Sequence, residues 1–392
     1  MRLNRRSPHA SGAGKLQIRK ERNYSMKTII TPRGSLFSIL RSRSAFILIA
    51  LALGPLAIGQ RAEAVSPPPD GGYAGNNTAE GSSALFNLTS GIDNTGLGFQ
   101  ALFHNTTGNF NTAEGFRALF SNTSGAQNAA SGVNAPISNT TGNFNTADGV
   151  NSLFRNTTGA QNTALGTGAL FSNVTGNFNN AVGSLSLSSN TAGSGNNALG
   201  HAALTSNTTG GQNTAIGDTT LHGNTTGSSN TATGAGALNS NTTGDANTAI
   251  GVDALLSNTT ASQNTAMGAF TLQNNTTGGT PGGSGTTEVG PNAAIGGEAL
   301  FSNTTGGANT AVGFQALGAI GNGSFATAMG FKALANSTGG SNDAFGYKAL
   351  GNNTTGFLNT AIGNLALSNN TTGAFNVALG SVAGATATTG FE

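Results

Sequence analysis

The sequence predicts an all-β protein, a parallel β-solenoid of about 18 coils, on three observations. A 17-residue unit, N-T-A-x-G-x-x-A-L-x-x-N-T-T-G-x-x, starts at 77, 94, 111, 128, 145, 162, 179, 196, 213, 230, 247, 264, 292, 309, 326, 342, 359 and 376. Glycine recurs at two fixed places in that unit. The stretches between the glycines are short enough for strands and too short for helices. A fixed period of this kind marks an architecture whose units bury their apolar faces only against one another.

Residues 1–44 are basic and rich in Ser and Arg, and they lead into the apolar run 45–59 and then Ala62-Glu63-Ala64. A positive segment, a short apolar segment and a small-x-small site are the parts of a secretory signal peptide, so residues 1–64 read as a basic leader plus signal. Met26-Lys27 offers a second start within it, and a mitochondrial presequence is an alternative reading of the basic segment. A spanning helix needs about 20 apolar residues. This run is shorter and contains Pro55, so no integral membrane anchor is expected here. Residues 65–76, with Pro67-Pro68-Pro69 and Gly71-Gly72, read as a linker, since proline has no N–H to give to a ladder.

The repeat domain, 77–392, is best described by position, with the leading Asn as position 1. Position 5 is Gly in all 18 copies, including Gly81, Gly98, Gly115, Gly217, Gly251 and Gly363, and position 15 is Gly with the exception of Ala261. Both are expected at turns, where φ is positive or a neighbouring backbone comes close. Position 3 is Ala and position 9 Leu in nearly every copy, so Ala215, Leu221, Ala249, Leu255, Ala361 and Leu367 are assigned to the core. Burying one Leu yields about 1.5–3 kcal/mol, whereas ordering each residue costs about 1–2 kcal/mol. No coil can therefore stand alone. Stacked at about 4.8 Å, 18 coils would make a rod roughly 85 Å long. Asn at position 1 and the N-T-T of positions 12–14 are placed to hydrogen-bond to their copies above and below. The same N-T-T creates N-x-[ST] sequons as a by-product of the repeat.

Position 4 is apolar in 13 copies, including Ile216, Ile250, Met267, Ile295, Val312 and Ile362, although its neighbour at position 3 must point the other way. Strands apolar on both faces are normally covered on both, and an exposed stripe of this length exceeds what a monomer shows. Those six residues are therefore assigned to a subunit interface, with a wide core as the alternative. Ala at position 8, beside Leu at position 9, repeats the hint. Phe86, Phe103, Phe120, Phe154 and Phe171 recur at position 10 and are read as packing rather than as a ligand platform. The interval from Asn264 to Asn292 holds 11 extra residues, expected as a loop extruded near 279–290. One residue lost between Ala326 and Asn342 should shorten a turn.

Composition excludes several chemistries. Beyond residue 64 only four cations, Arg117, Arg155, Lys332 and Lys348, stand against twelve acids, a net of −8. Nucleic-acid binding needs clustered cations and is not expected. Cysteine is absent, and with it disulfides, thiolate metal sites and cysteine nucleophiles. His9, His104, His201 and His222 do not cluster, no Ser or Thr has a recognisable base partner, and no cofactor or metal is expected. The row Glu80, Glu114 and Asp148 lies on alternate coils, about 9.6 Å apart. It is thin support for a polysaccharide hydrolase.

The recurring N-T-A-[ILVM]-G, as at Asn213 to Gly217, Asn247 to Gly251 and Asn359 to Gly363, resembles the head repeats of YadA-like trimeric autotransporter adhesins. The resemblance covers 77 to about 390 and implies a left-handed β-roll with two strands per coil, assembled as a homotrimer that binds host, matrix or other cell-surface macromolecules. It differs in unit length, 17 residues against the family's usual 14, and in lacking a neck, a heptad stalk and terminal barrel strands. A secreted product or a piece of a longer protein would account for that difference. Similar repeats occur in phage-fibre-like proteins. The expected function is an exported, non-enzymatic, adhesin-like binding module at the cell surface or outside the cell, with a phage-fibre-like structural protein as one alternative. An ice- or crystal-surface-binding solenoid is another, because Ser-x-Thr recurs at positions 11 and 13, as in Ser206/Thr208 and Ser240/Thr242, unless those hydroxyls form an internal ladder.

Overall fold

In a computed structural model, residues 73–279 and 290–390 are described. The leader and signal peptide (1–64), residues 65–72 of the linker and residues 280–289 of the extruded loop lie outside them. Each coil contributes one three-residue strand at positions 2–4, from β1 (Thr78–Glu80) to β18 (Val377–Leu379), and no helix is present among the described residues. The strands form one sheet in which each pairs in parallel with the strand of the next coil, Thr78 opposite Thr95 and Thr214 opposite Thr231. The fold is an all-β parallel solenoid. Its register survives both irregularities. Thr265 of β12 (Thr265–Met267) faces Ala293 of β13 (Ala293–Ile295), and Thr327 of β15 (Thr327–Met329) faces Asp343 of β16 (Asp343–Phe345).

Sequence dictates the strand's orientation. Only Ala, with its single methyl, points inward at position 3, and Ala215, Ala249 and Ala361 have no solvent exposure. Residues on either side point outward, as strand alternation requires. Gly at position 5 then ends the strand. Gly217 has φ +134°, and a Cβ there would lie 2.8 Å from the backbone of Gly234 in the next coil. Gly81, Gly98, Gly115, Gly251 and Gly363 share this conformation, with φ from +119° to +141°. Gly at position 15 has a different reason. At Gly210 no left-handed φ is involved, but a Cβ would sit 2.3 Å from the Gly227 carbonyl oxygen.

The second strand per coil is not formed. Positions 6–11 follow a continuous turn in which positions 7 and 9 are left-handed, as at Gln100 (φ 55°) and Leu102 (φ 52°). The segment still bonds between coils, Leu102 N donating to Ala118 O and His104 N to Phe120 O, both at 3.0 Å. It also closes on itself, with Ala101 N donating to Gly98 O at 3.2 Å. The left-handed Leu breaks the pleat, so residues 8 and 9 both turn inward. Ala254 and Leu255 are therefore both fully buried, and Ala at position 8 is core rather than a second outward stripe. Leu221 is fully buried and Leu367 nearly so. A left-handed conformation costs a non-glycine residue about 1–2 kcal/mol. Gln212 (φ 59°) at position 17 bears the same cost, which the repeated inter-coil bonds must offset.

Two columns of buried asparagine complete the interior. At position 1, Asn213 Oδ1 accepts both the backbone N–H (3.0 Å) and the Nδ2 (3.1 Å) of Asn230. Asn213 in turn donates to Asn196 Oδ1 and to the Gly227 carbonyl. At position 12, Asn224 donates to Asn207 Oδ1 at 2.8 Å and to the same Gly227 carbonyl at 2.9 Å. Two buried amides thus converge on one position-15 carbonyl in each regular coil, which satisfies polar groups that would otherwise be costly inside. Where the position-12 column breaks, the orphan shows. Asn303 Oδ1 and Asn370 Oδ1 are buried without a donor, because Ile320 and Ala387 stand where the next Asn would be. In the short coil Ser337 takes that place and accepts from Asn353 Nδ2 at 3.1 Å.

Candidate interaction surfaces

Outward-pointing columns are the only places where a chain so constrained inside can vary. The most continuous is position 4. Ile216, Ile250, Met267, Ile295 and Ile362 are each about two-fifths exposed, with values from 39% to 45%, and Val312 is half-buried. From Leu165 to Leu379 this row is broken only by Thr233. In the earlier coils the same column holds Glu80, Glu114 and Asp148, all exposed. The parallel register aligns identical positions at the strand spacing, so six scattered apolar letters become a stripe.

A neighbouring row went unread in the sequence. Position 6 carries Phe99 and Phe116, stacked with ring centroids 5.3 Å apart, and Phe314, Phe331 and Tyr347, stacked at 5.7 and 5.6 Å. All five are exposed. The signal was there in the recurrence of Gly-Phe or Gly-Tyr directly after the strand, at 98–99, 115–116, 313–314, 330–331 and 346–347.

Position 10 forms a third row, Phe86 on Phe103 on Phe120 and, separately, Phe154 on Phe171. The rings lie face to face and hide those faces from a ligand. Arg117 caps this part, its guanidinium 4.6 Å from the Phe120 ring and its Nε donating to Gln100 Oε1 at 2.9 Å. His104 lies beside the Phe103–Phe120 stack, edge-on to both rings, and contacts Asn87.

The hydroxyls at position 13 are engaged in the ladder. Thr208 Oγ1 donates to the Thr225 carbonyl and Thr242 Oγ1 to that of Thr259, at 3.0 and 2.9 Å. The acidic row at position 4 has Leu97 and Ser131 between its members. His201 pairs with Asp218 at 3.0 Å on the surface, both side chains more than half exposed. Among the described residues no group of three His, Asp or Glu is placed to hold a metal, and no helix is long and apolar enough to cross a membrane. Comparison of the chain with protein-family models, with curated proteins and with solved structures gave no match.

Proposed function

We propose that the chain is an exported, non-enzymatic fibrous module that self-associates, as a homotrimer, and presents its remaining surface for adhesion to matrix or cell-surface macromolecules. The single observation behind this reading is the exposed apolar row at position 4, which the position-6 rings Phe99 and Phe116, and Phe314, Phe331 and Tyr347, flank in the coils near either end. Apolar area removed from water contributes about 25 cal/mol per Å2, and a stripe repeated on identical subunits is self-complementary under rotation. The resemblance of N-T-A-[ILVM]-G to trimeric adhesin heads supports the same reading, and a phage-fibre-like element would share its assembly. The ice-binding alternative is weakened by the position-13 hydroxyls, whose protons are already given to neighbouring carbonyls.

Light scattering coupled to size separation tests the assembly. The wild-type chain is expected at three times its monomer mass. Ile216→Glu with Ile250→Glu should reduce it to a monomer while leaving the fold intact, since Glu80 and Glu114 occupy the same repeat position. A monomeric wild type would refute the reading. Adhesion is then measured as retention of the trimer on immobilised matrix and cell-surface fractions, and no retention on any of them would remove the adhesive half of the proposal.

A further inference from the structure

A groove of about 550 Å3 opens along coils 13 to 17. Its floor explains its existence. Position 10 carries Phe301 at one end, but then Gly318, Ala335 and Gly351, so no side chain larger than a methyl fills this place for three successive coils. Along one wall, position 7 reads Glu298, Gln315, Lys332, Lys348 and Leu365 in successive coils. Along the other, position 11 carries the exposed Asn336, Asn352 and Asn369, whose amides each give one N–H within the fold, to Gly351 O, Asn369 Oδ1 and Ala385 O, and keep the second N–H for a ligand.

Two of the four cations beyond residue 64 are thus brought to adjacent coils, about 4.8 Å apart along the axis. Like charges at that spacing repel unless something neutralises them. The carboxylate of Glu298 stands two coils from Lys332, with Gln315 between them donating to it at 2.6 Å, and makes no ion pair with either lysine. Neither ammonium has a carboxylate within ion-pair distance among the described residues. Each rests over its neighbouring ring instead, Lys332 at 5.5 Å from Phe331 and Lys348 at 5.3 Å from Tyr347.

We propose that this groove binds a linear acidic polysaccharide, with successive uronate carboxylates on Lys332 and Lys348 and sugar hydroxyls on Asn336, Asn352 and Asn369. The groove runs along the stacking axis, so its donors repeat at a spacing comparable to one pyranose of an extended chain. Its small-residue floor gives room for sugar rings. An acidic peptide fits less well, because the floor is made of turn segments whose backbone groups bond between coils, not of an open strand edge. Nucleic acid would need more than two cations. The site uses positions 7, 10 and 11, with its two lysines resting over the position-6 rings Phe331 and Tyr347, and leaves the apolar row at position 4 for self-association. It deepens the reading of the chain as a binding module and rests on it.

The test titrates the full chain with oligogalacturonate of defined length, its methyl-esterified neutral form and polyglutamate, with light scattering run in parallel. Oligogalacturonate should bind and the neutral form should not. Lys332→Gln with Lys348→Gln should weaken binding on the order of tenfold. Ala335→Phe should abolish it by filling the floor. Both substitutions use residues native to those repeat positions, Gln315 and Phe301, so the coils remain folded. Absence of oligogalacturonate binding, equal binding of the esterified form, equal or tighter binding of polyglutamate, or indifference to Ala335→Phe would each overturn the proposal. Light scattering separates that failure from failure of the assembly, since a trimer without sugar binding leaves the association reading standing and a sugar-binding monomer does the reverse.

Discussion

Replacing Asn213 by Leu, and separately Asn207 by Leu, compares the two buried columns with the same change of side chain. Asn207 makes three hydrogen bonds, to Asn190 Oδ1, to the Gly210 carbonyl and from Asn224 Nδ2. Gly210 keeps its bond from Asn196 and Asn224 keeps its bond to Gly227, so only the Asn190 oxygen is orphaned. Asn213 makes four, and its loss leaves the backbone N–H of Asn230 without its acceptor. Each bond is worth about 1 kcal/mol net, and an orphaned buried group about 1–3 kcal/mol. The buried Leu returns about 1.5–3 kcal/mol in either case. Asn207→Leu is expected to destabilise by ~1–4 kcal/mol and Asn213→Leu by ~2–5 kcal/mol, the fourth bond and the orphaned backbone donor, the rarer and costlier defect, making the difference. Urea denaturation followed by circular dichroism measures both, with amide exchange at Asn230 as a local readout. Equal losses, or a greater loss for Asn207→Leu, would refute the hydrogen-bond accounting. The chain itself leans the expected way, with position 1 departing from Asn only at Ala326, while position 12 departs at Leu88, Ile320, Ser337 and Ala387.

Gly217→Ala should cost ~3 kcal/mol or more, since it meets both a φ of +134° and the Gly234 backbone. Gly227→Ala should cost less, because Ala261 already occupies the equivalent place. Thermal melts of the pair check the order. Gln212→Gly should stabilise by about 0.5–1 kcal/mol by relieving a left-handed residue, and a drop in melting temperature would count against strain at position 17. Arg117→Ala should expose Phe120 and lower stability by about 0.5–1 kcal/mol, through loss of its cation–π contact. An unchanged denaturation midpoint would show that contact to be idle.

The architecture was legible because the period carries it. Parallel pairing at a constant offset follows from spacing alone, and even the jump from Thr265 to Ala293 could be read by resuming the count after the extra residues. The path between the strands was not legible, because Leu221 carries no mark of its φ of +52°. Leucine does not favour that region, and only the bonds from coils above and below hold it there. The pleat assumed for positions 8 and 9 failed for that reason. The outward stripe at Ile250 could be seen because a strand's alternation is rigid, whereas the groove could not. It arises where three small residues, Gly318, Ala335 and Gly351, fall in succession in a column with no consensus, so nothing in the repeat marks them.

The hydrogen bonds that join successive coils run along the stacking direction, so a pull on the two ends would load them in line. Stacked coils that touch only their neighbours would part at the weakest junction and then at the next. Each coil freed would pay out about 55–60 Å of chain, lengthening the tether while the rest stayed folded. Ile320 and Ala387 mark junctions where a ladder rung is already missing, so separation of the coils under tension would begin there and proceed in steps.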